Sequence, residues 1–247
     1  MITGETAIRD AYRDERVAAD YVRNRFVEPL GALLHRRQVE VLRALIARAR
    51  PSRVLEIAPG PARLTAAVAP ALDRPPVLVD ASAQMLVEAR RRLADADRPA
   101  PLVEGDAFGL PFGAVFDLVY TFRLIRHFGD EDRARLYRQI AAVLKPGGLL
   151  AFDAVNAEVA APLRAAARPG EYAHYDALVD EATLGRELGD AGFTEVTLDG
   201  VQHRYRALQA VQNLVAPRSR AAARAAMAVL DRSGGPPLEW VVTCRRG

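Results

Sequence analysis

Cysteine is nearly absent from this sequence. Its 247 residues include one cysteine, Cys244, which excludes an internal disulfide and any metal site built from several cysteines. A chain without disulfides is typical of a reducing compartment, so we expect a cytoplasmic protein. No second cluster of carboxylates is evident in the sequence, and we expect no metal site.

Long apolar runs are absent too. No window approaches ~18 uncharged apolar residues, which excludes a membrane span. The start, MITGETAIRD, lacks an apolar core behind a basic segment, so we expect no secretory leader. Half of the residues are hydrophobic and 26% are charged, which is typical of a folded globular domain. We expect an N-terminal helical cap at 1–50 and a main domain at 51–247, with cap insertions near 156–181 and 202–236.

Lysine is reduced to a single residue, Lys145, and arginine supplies the other fixed positive charges. The 34 basic residues exceed the 31 acidic ones by three, and the pI is about 9.3. A pI above ~9 can indicate nucleic-acid binding. Here the basic residues are spread along the chain, and clusters such as 90–92 are typical of solvated helix faces. We therefore do not expect a nucleic-acid partner.

The hydrophobic period switches repeatedly between that of a helix and that of a strand. Strands that alternate with helices predict an α/β fold with a parallel sheet covered on both faces. The predicted strands are 53–57, 77–80, 102–103, 115–120, 149–152, 194–198 and 238–244, and the predicted helices are 6–27, 30–49, 62–72, 82–93, 131–144, 183–191 and 206–231, the last broken at Pro217.

The loop after the first predicted strand carries small residues at Ala58, Gly60 and Ala62. Small residues let a ligand approach the backbone, and Gly60 can adopt a positive φ. A dinucleotide fingerprint would need glycine where Ala58 and Arg63 stand, and the chain has no phosphate-binding P-loop motif. Glu56 would repel a phosphate. The loop therefore favours a cationic ligand.

Five segments in order resemble the class I S-adenosylmethionine-dependent methyltransferases of the small-molecule type, the methyltransferase type 11-like group. They are VLEIAPGPARLT, VLVDASAQMLVEAR, VEGDAFGLPF, FDLVYTFRLIRHF and LKPGGLLAFDAV, and they span about residues 50–155. The first departs from the family pattern by alanine at both outer glycines. The resemblance implies a Rossmann-like, doubly wound, seven-stranded, mostly parallel sheet with an antiparallel last strand, plus N-terminal helices and a small helical cap.

The resemblance also implies S-adenosylmethionine as cofactor, with S-adenosylhomocysteine as product. Asp80 would hold the ribose hydroxyls and Asp106 the adenine amino group, next to the Ala107 amide. Both carboxylates end consecutive predicted strands, so they could grip one nucleoside by its sugar and its base. The other predicted cofactor contacts are Glu56, Ala58, Pro59, Gly60, Ala81, Met85, Phe122, Arg123, Tyr21 and Arg25.

A general base is needed only where the acceptor arrives protonated. We predict His127, His203 and His174 as candidates, because His127 follows the fourth strand and the other two lie in the predicted cap. His35 fits a packing or surface role in its amphipathic helix. For His127 the simpler interpretation is a hydrogen bond that only orders its loop.

The acceptor class follows partly from what is missing. The segment Tyr120-Thr121-Phe122-Arg123 stands where nucleic-acid amino methyltransferases of this family carry an N/D-P-P-Y/F sequence. We therefore predict a small-molecule methyl acceptor, with oxygen, nitrogen and carbon all open. An RNA methyltransferase, a nicotinamide oxidoreductase and a cofactor-binding protein without transfer activity stay as alternatives, and a homo-oligomer is left open.

Overall fold

The computed structural model describes residues 28–167 and 176–247. Strands and helices alternate through the first of these ranges, as the hydrophobic periods predict. The helices are α1 (Pro29–Ala49), α2 (Arg63–Val68), α3 (Ala83–Asp95), α4 (Asp130–Val143), α5 (Ala157–Ala165), α6 (Glu181–Asp190), α7 (Tyr205–Leu214) and α8 (Arg220–Arg232), with short 3-10 helices at Ala69–Ala71 and Ile125–His127. The strands are β1 (Val54–Ile57), β2 (Val77–Asp80), β3 (Leu102–Glu104), β4 (Phe116–Thr121), β5 (Leu144–Asn156), β6 (Leu178–Val179), β7 (Phe193–His203) and β8 (Pro237–Arg246).

The sheet has the order β3-β2-β1-β4-β5-β8-β7, and the two-residue β6 pairs with β5 beside this path. Strands β1 to β5 are parallel to one another, whereas β8 runs antiparallel to both β5 and β7. This confirms the predicted mostly parallel, doubly wound sheet with an antiparallel last strand. The chain reverses its direction of winding between β1 and β4, which is where such sheets bind ligands.

Strand β5 is much longer than the predicted strand at 149–152. It starts at Leu144, directly after α4, and includes the Lys-Pro-Gly-Gly segment that we predicted as a turn. Leu144 pairs with Phe116, and the register shifts before Leu118 pairs with Leu149. A Cβ on Gly148 would stand 2.9 Å from the Lys145 carbonyl oxygen, so the irregularity requires glycine there.

Helix α1 packs on the sheet itself. Leu42 and Ile46 are buried against Leu118 and Tyr120 of β4, on the face opposite the cluster around Phe152. Helices α7 and α8 in turn pack on the N-terminal half of α1, where buried contacts join Leu33, Leu208 and Met227. The domain boundary at residue 50 stays a prediction. Within the described residues no helix is long and apolar enough to cross a membrane.

Truncation of a core residue tests whether α1 belongs to the same folding unit as the sheet. Leu42 has no exposed surface, so we expect Leu42→Ala to lower the free energy of unfolding by about 2–5 kcal/mol in one cooperative transition. Val87→Ala on α3 is the control, because Val87 is 57% exposed and should change little. Urea titration followed by circular dichroism measures both. Two separate transitions, with the sheet unaffected by Leu42→Ala, would contradict the expectation.

Candidate functional site

The carboxyl ends of β1, β2, β3 and β4 surround a cavity of about 870 Å³, counting the space open to solvent at its mouth. We call it the main cavity. It lies at the switch point of the sheet, where doubly wound sheets bind their ligands. The structure brings ten predicted site residues to its wall, namely Ala58, Gly60, Asp80, Ala81, Met85, Asp106, Ala107, Phe122, Arg123 and His127.

A smaller cavity adjoins the main one across the loop after β1, and we call it the side cavity. Among the described residues, Glu56 and Pro59 are the two predicted cofactor contacts that do not line the main cavity, and they line the side cavity together with Arg63. Phe122 and Arg123 line both cavities. The two cavities therefore lie on either side of the first loop and the start of the segment after β4.

The loop after β1 has a left-handed backbone at three positions. Ala58, Gly60 and Ala62 have φ values of 51°, 54° and 53°. Glycine adopts this conformation freely, whereas for other residues it costs roughly 1–2 kcal/mol. The two alanines that replace the outer glycines of the family motif thus keep the glycine conformation. The Ala58 amide donates to the Val79 carbonyl at 2.8 Å and helps to hold the loop against β2.

Asp80 connects this loop to the start of α3. Its Oδ2 accepts from the Gly60 amide at 2.9 Å, and its Oδ1 accepts from the Ser82 amide at 2.9 Å. Burial raises the pKa of Asp80, and the two amide donors oppose that rise. A carboxylate oxygen has two lone pairs, so each oxygen keeps capacity for a further donor from the cavity. Asp80 therefore has a structural role and can also accept hydroxyl groups of a ligand.

The opposite end of the main cavity is apolar with a polar rim. Asp106 is exposed there, and its Oδ1 accepts from the Phe108 amide at 2.9 Å in a local turn. Phe108 packs edge to face on Phe128, with ring centroids 5.1 Å apart. Met85 and Phe122 are buried in the same wall. A flat apolar ring with one amino group matches this combination of surfaces.

Glu56 is fully buried at the floor of the side cavity. Its Oε2 accepts from the Thr65 hydroxyl and, at 3.2 Å, from the Tyr120 hydroxyl. Burial raises the pKa of Glu56 to about 7, although both hydroxyl bonds and Arg63 oppose the rise. Thr65 stands nine residues after Glu56 in the first turn of α2, a spacing that the sequence analysis did not use.

Arg63 connects this site to α1 through contacts with two of its side chains. Its Nη2 donates to Gln38 Oε1 at 2.9 Å, and its Nη1 contacts the His35 ring nitrogen Nδ1. Burial, together with the nearby charges of Arg63 and Arg92, lowers the pKa of His35 to about 4. His35 is thus a neutral packing partner, in line with the role that its amphipathic helix favoured.

A buried ion network lies behind the wall that holds His127 and Arg123. Arg126 Nη1 donates to Asp153 at 3.0 Å and to Glu239 at 2.9 Å, and its Nε donates to Asp176 at 3.0 Å. Burial alone lowers the pKa of Arg126, but the three carboxylates, Glu239 most of all, raise it above its usual value. The sequence analysis missed all four residues.

This network reaches the main cavity at two points. Asp153 Oδ1 accepts from the Arg123 amide at 2.5 Å, which fixes Arg123 in its left-handed conformation with φ of 64°. His127 Nδ1 lies 3.3 Å from Asp176 Oδ1. The contact orders the His127 loop, as the simpler interpretation of this histidine predicted, and the ring also lines the cavity.

The remaining predicted residues lie elsewhere. The His203 ring nitrogen Nδ1 is 2.6 Å from the Gly235 carbonyl at the outer end of β7, so the structure does not bring it to either cavity. His174, Tyr21 and Arg25 lie outside the described residues. Among residues 28–167 and 176–247, no group of three histidines, cysteines or carboxylates could hold a metal ion.

The raised pKa of Glu56 predicts a pH dependence of stability. Between its ordinary pKa of 4.5 and about 7, the folded state keeps a proton that the unfolded state loses. Folding stability from this group is therefore present below pH 4.5 and is lost as the pH rises through 7. We expect Glu56→Gln to gain roughly 3 kcal/mol relative to the parent protein between pH 4 and pH 8. Urea titrations across that range measure the difference, with Glu181→Gln, an exposed residue at the start of α6, as control. Parallel curves for the parent protein and Glu56→Gln would contradict the expectation.

Among known protein families, residues 54–148 match one described as a methyltransferase domain. The chain is 31% identical over 170 residues to a malonyl-[acyl-carrier protein] O-methyltransferase of Methylococcus capsulatus, and this match covers 66% of the chain and 61% of the relative. A protein of the same name from Halorhodospira halophila is 30% identical over 156 residues, covering 62% of the chain and 52% of that relative. The chain thus spans little more than half the length of these curated relatives.

Solved structures share the whole fold. The magnesium protoporphyrin IX methyltransferase of Synechocystis PCC 6803, solved with S-adenosylhomocysteine, superposes with a TM-score of 0.68 at 14% identity, covering 99% of this chain and all of that one. A SAM-dependent methyltransferase of Thermotoga maritima gives 0.67 at 16% identity, covering 94% and 98%. At such identities the likeness shows the fold alone. Together, the family match and the curated relatives show that the chain contains a methyltransferase domain over residues 54–148, and the solved structures show that it has the fold of the S-adenosylmethionine-dependent methyltransferases.

Proposed function

We propose that this chain transfers the methyl group of S-adenosylmethionine to a carboxylate oxygen of a small acyl acceptor. The observation that carries the proposal is the pair of adjoining cavities at the carboxyl edge of the sheet. One is lined by Asp80 and apolar side chains, and the other by Arg63 together with Arg123, which lines both. The first suits the nucleoside of the cofactor, and the second suits an anionic acceptor.

The main cavity fits the cofactor by its donor set. Asp80 keeps lone pairs for ribose hydroxyls, Asp106 lies at the rim for the adenine amino group, and Met85 and Phe108 supply apolar surface for the ring. Gly60 leaves the loop backbone bare where the ligand passes. When bound, S-adenosylmethionine supplies an electrophilic methyl group on a positively charged sulfur and leaves as S-adenosylhomocysteine.

The side cavity supports an acidic acceptor. Arg63 and Arg123 both line it, while the one carboxyl group there, Glu56, has a pKa of about 7 and carries only part of a negative charge at neutral pH. The curated relatives are named as O-methyltransferases of a malonyl group, which has a free carboxylate. Electrostatic complementarity thus agrees with the chemistry of the relatives.

A carboxylate acceptor changes what the enzyme needs from its histidines. The attacking oxygen already has a free lone pair and carries no proton, so no general base takes part. The chain has only to hold the two reacting atoms in line at roughly 3–3.5 Å and exclude water. In this proposal Arg123, which lines both cavities, positions the acceptor from the wall that the Arg126 network holds. The predicted role of His127, His203 and His174 as bases is not required.

Removal of the Asp80 carboxylate tests the cofactor half of the proposal. We expect Asp80→Ala to weaken binding of S-adenosylhomocysteine at least tenfold in isothermal titration calorimetry, because two hydroxyl acceptors and the anchor of the first loop are lost. Asp190→Ala, an exposed residue at the end of α6, is the matched control. Thermal unfolding of both variants checks the fold. A folded Asp80→Ala protein with unchanged affinity removes Asp80 from the site.

Methyl transfer tests the acceptor half. The full chain is incubated with methyl-labelled cofactor and four acceptors: malonyl-loaded acyl carrier protein of Methylococcus capsulatus, malonyl-coenzyme A, the unloaded carrier protein and RNA. We expect the malonyl compounds to gain the mass of one methylene, and mild alkali to release the label as expected for an ester. Label on RNA, or on none of the four despite cofactor binding, would overturn the acceptor assignment and favour an RNA methyltransferase or a protein without transfer activity.

A further inference from the structure

The hairpin formed by α7 and α8 carries a large excess of positive charge. We call residues 204–232 the arginine hairpin. This span contains six arginines and a single acidic residue, Asp231, whereas the rest of the chain has 28 basic and 30 acidic residues. Asp231 is buried and lies 3.1 Å from Arg37 Nε, so it does not neutralise the outer surface. The outer surface of the hairpin is therefore strongly positive, although residues 36–53 have the same balance of six arginines to one acidic residue.

All six arginines of the hairpin are exposed, and they are Arg204, Arg206, Arg218, Arg220, Arg224 and Arg232. Arg220 pairs with Glu28 at 2.6 Å. Within the described part of the chain the other five have no ion-pair partner. Some exposed arginines elsewhere, such as Arg91 and Arg135, do have one, whereas others, such as Arg48, have none among the described residues. A cluster of unneutralised cations creates a positive field that attracts an acidic partner.

The hairpin also presents aliphatic side chains to solvent. Leu214 on α7 is 65% exposed and Val229 on α8 is 71% exposed, and they are two of the four large hydrophobic residues exposed among the described residues. The one aromatic residue of the hairpin, Tyr205, is half-buried. Aliphatic groups among cations are typical of a protein interface, whereas single-stranded nucleic acid is held by exposed aromatic rings. The surface therefore favours a protein partner.

The hairpin stands at the same edge of the sheet as the two cavities. Strand β7 is antiparallel to β8, which is antiparallel to β5, so β7 ends at the carboxyl edge and leads directly into α7. Helix α8 leads back to the start of β8 at that edge. The hairpin packs on Leu33 of α1, whereas His35, two residues later and on the opposite face of that helix, contacts Arg63 in the side cavity. A partner on the hairpin would sit at the same edge of the sheet as the acceptor compartment, with α1 between them.

We propose that the arginine hairpin is a docking surface for an acidic carrier protein that delivers the acyl acceptor as a thioester on its prosthetic arm. The proposal rests on the proposed function, because it assigns a carrier to the same carboxylate acceptor. The cationic hairpin attracts the carrier, Leu214 and Val229 give it apolar contact, and the arm enters the side cavity past α1. Charge on such a rim acts mainly on encounter and orientation, so the interaction is salt-dependent.

Charge reversal on the hairpin separates docking from catalysis. The variant Arg206→Glu/Arg224→Glu/Arg232→Glu changes three exposed arginines that make no ion pair, and Arg48→Glu/Arg98→Glu/Arg138→Glu imposes the same charge change away from the hairpin. Affinity for the malonyl-loaded carrier protein of Methylococcus capsulatus is measured by fluorescence anisotropy at 50 and 300 mM salt. We expect the parent protein to bind and to weaken with salt, the hairpin variant to bind at least tenfold more weakly, and the control variant to stay within twofold.

The outcomes distinguish docking from the proposed function. Binding of S-adenosylhomocysteine and methylation of malonyl-coenzyme A should be unchanged in the hairpin variant, since neither uses the hairpin. If the parent protein binds the carrier but does not methylate it, the acceptor assignment fails and docking stands. Three results would overturn the docking proposal. The carrier does not bind, or the hairpin variant binds it as tightly as the parent protein does. The third is that RNA binds the hairpin more tightly than the carrier does at 150 mM salt. Should the glutamate variant fail to fold, the Arg→Gln variant at the same three positions gives the same comparison.

Discussion

The carboxylate of Asp80 is the interaction on which the rest of the site depends. It ends β2 and binds the amide of Gly60 on one side and the amide of Ser82 on the other. One buried group thereby fixes both the loop after β1 and the start of α3, which are two walls of the main cavity. An anion buried in this way is stabilised only by its donors, so the loops and the carboxylate hold each other in place. The ligand-binding surface exists because the backbone around it has already been ordered.

The two compartments differ in charge. The main cavity is lined by the carboxylates of Asp80 and Asp106, whereas the side cavity is lined by Arg63 and by Glu56, whose pKa burial has raised to about 7, and Arg123 lines both. This difference would suit the cationic cofactor and the anionic acceptor of the proposed function. Because burial raises the pKa of Glu56, this group carries less negative charge at neutral pH and would repel an anionic acceptor less. The hydrogen bonds that Glu56 accepts from Thr65 and Tyr120 hold it in this buried position.

Sequence reasoning predicted the parts of the site that are local in the chain. Small residues after β1 and acidic residues at the ends of β2 and β3 lie at the same sheet edge because parallel strands end there, and the order of helices and strands follows from their hydrophobic periods. The Arg126 network was missed because its bonds join residues 27, 50 and 113 positions apart, and no short spacing indicates them. His203 was a candidate base because it lies in the predicted cap, but the sequence does not show that its ring contacts the Gly235 carbonyl instead of either cavity.

The arginine hairpin shows how a count of one residue type can hide a surface. Basic residues are spread along the whole chain, and on that ground the sequence analysis assigned them to solvated helix faces. The acidic residues are not spread in the same way, because one of 31 falls within residues 204–232 and it is buried. The electrostatic field depends on the balance of both signs, and only the fold shows that this unbalanced segment stands at the same edge of the sheet as the two cavities. In the proposed function the arginines of the side cavity and those of the hairpin carry the same sign, so the outer surface would attract an acidic partner protein before the acyl group reaches the site.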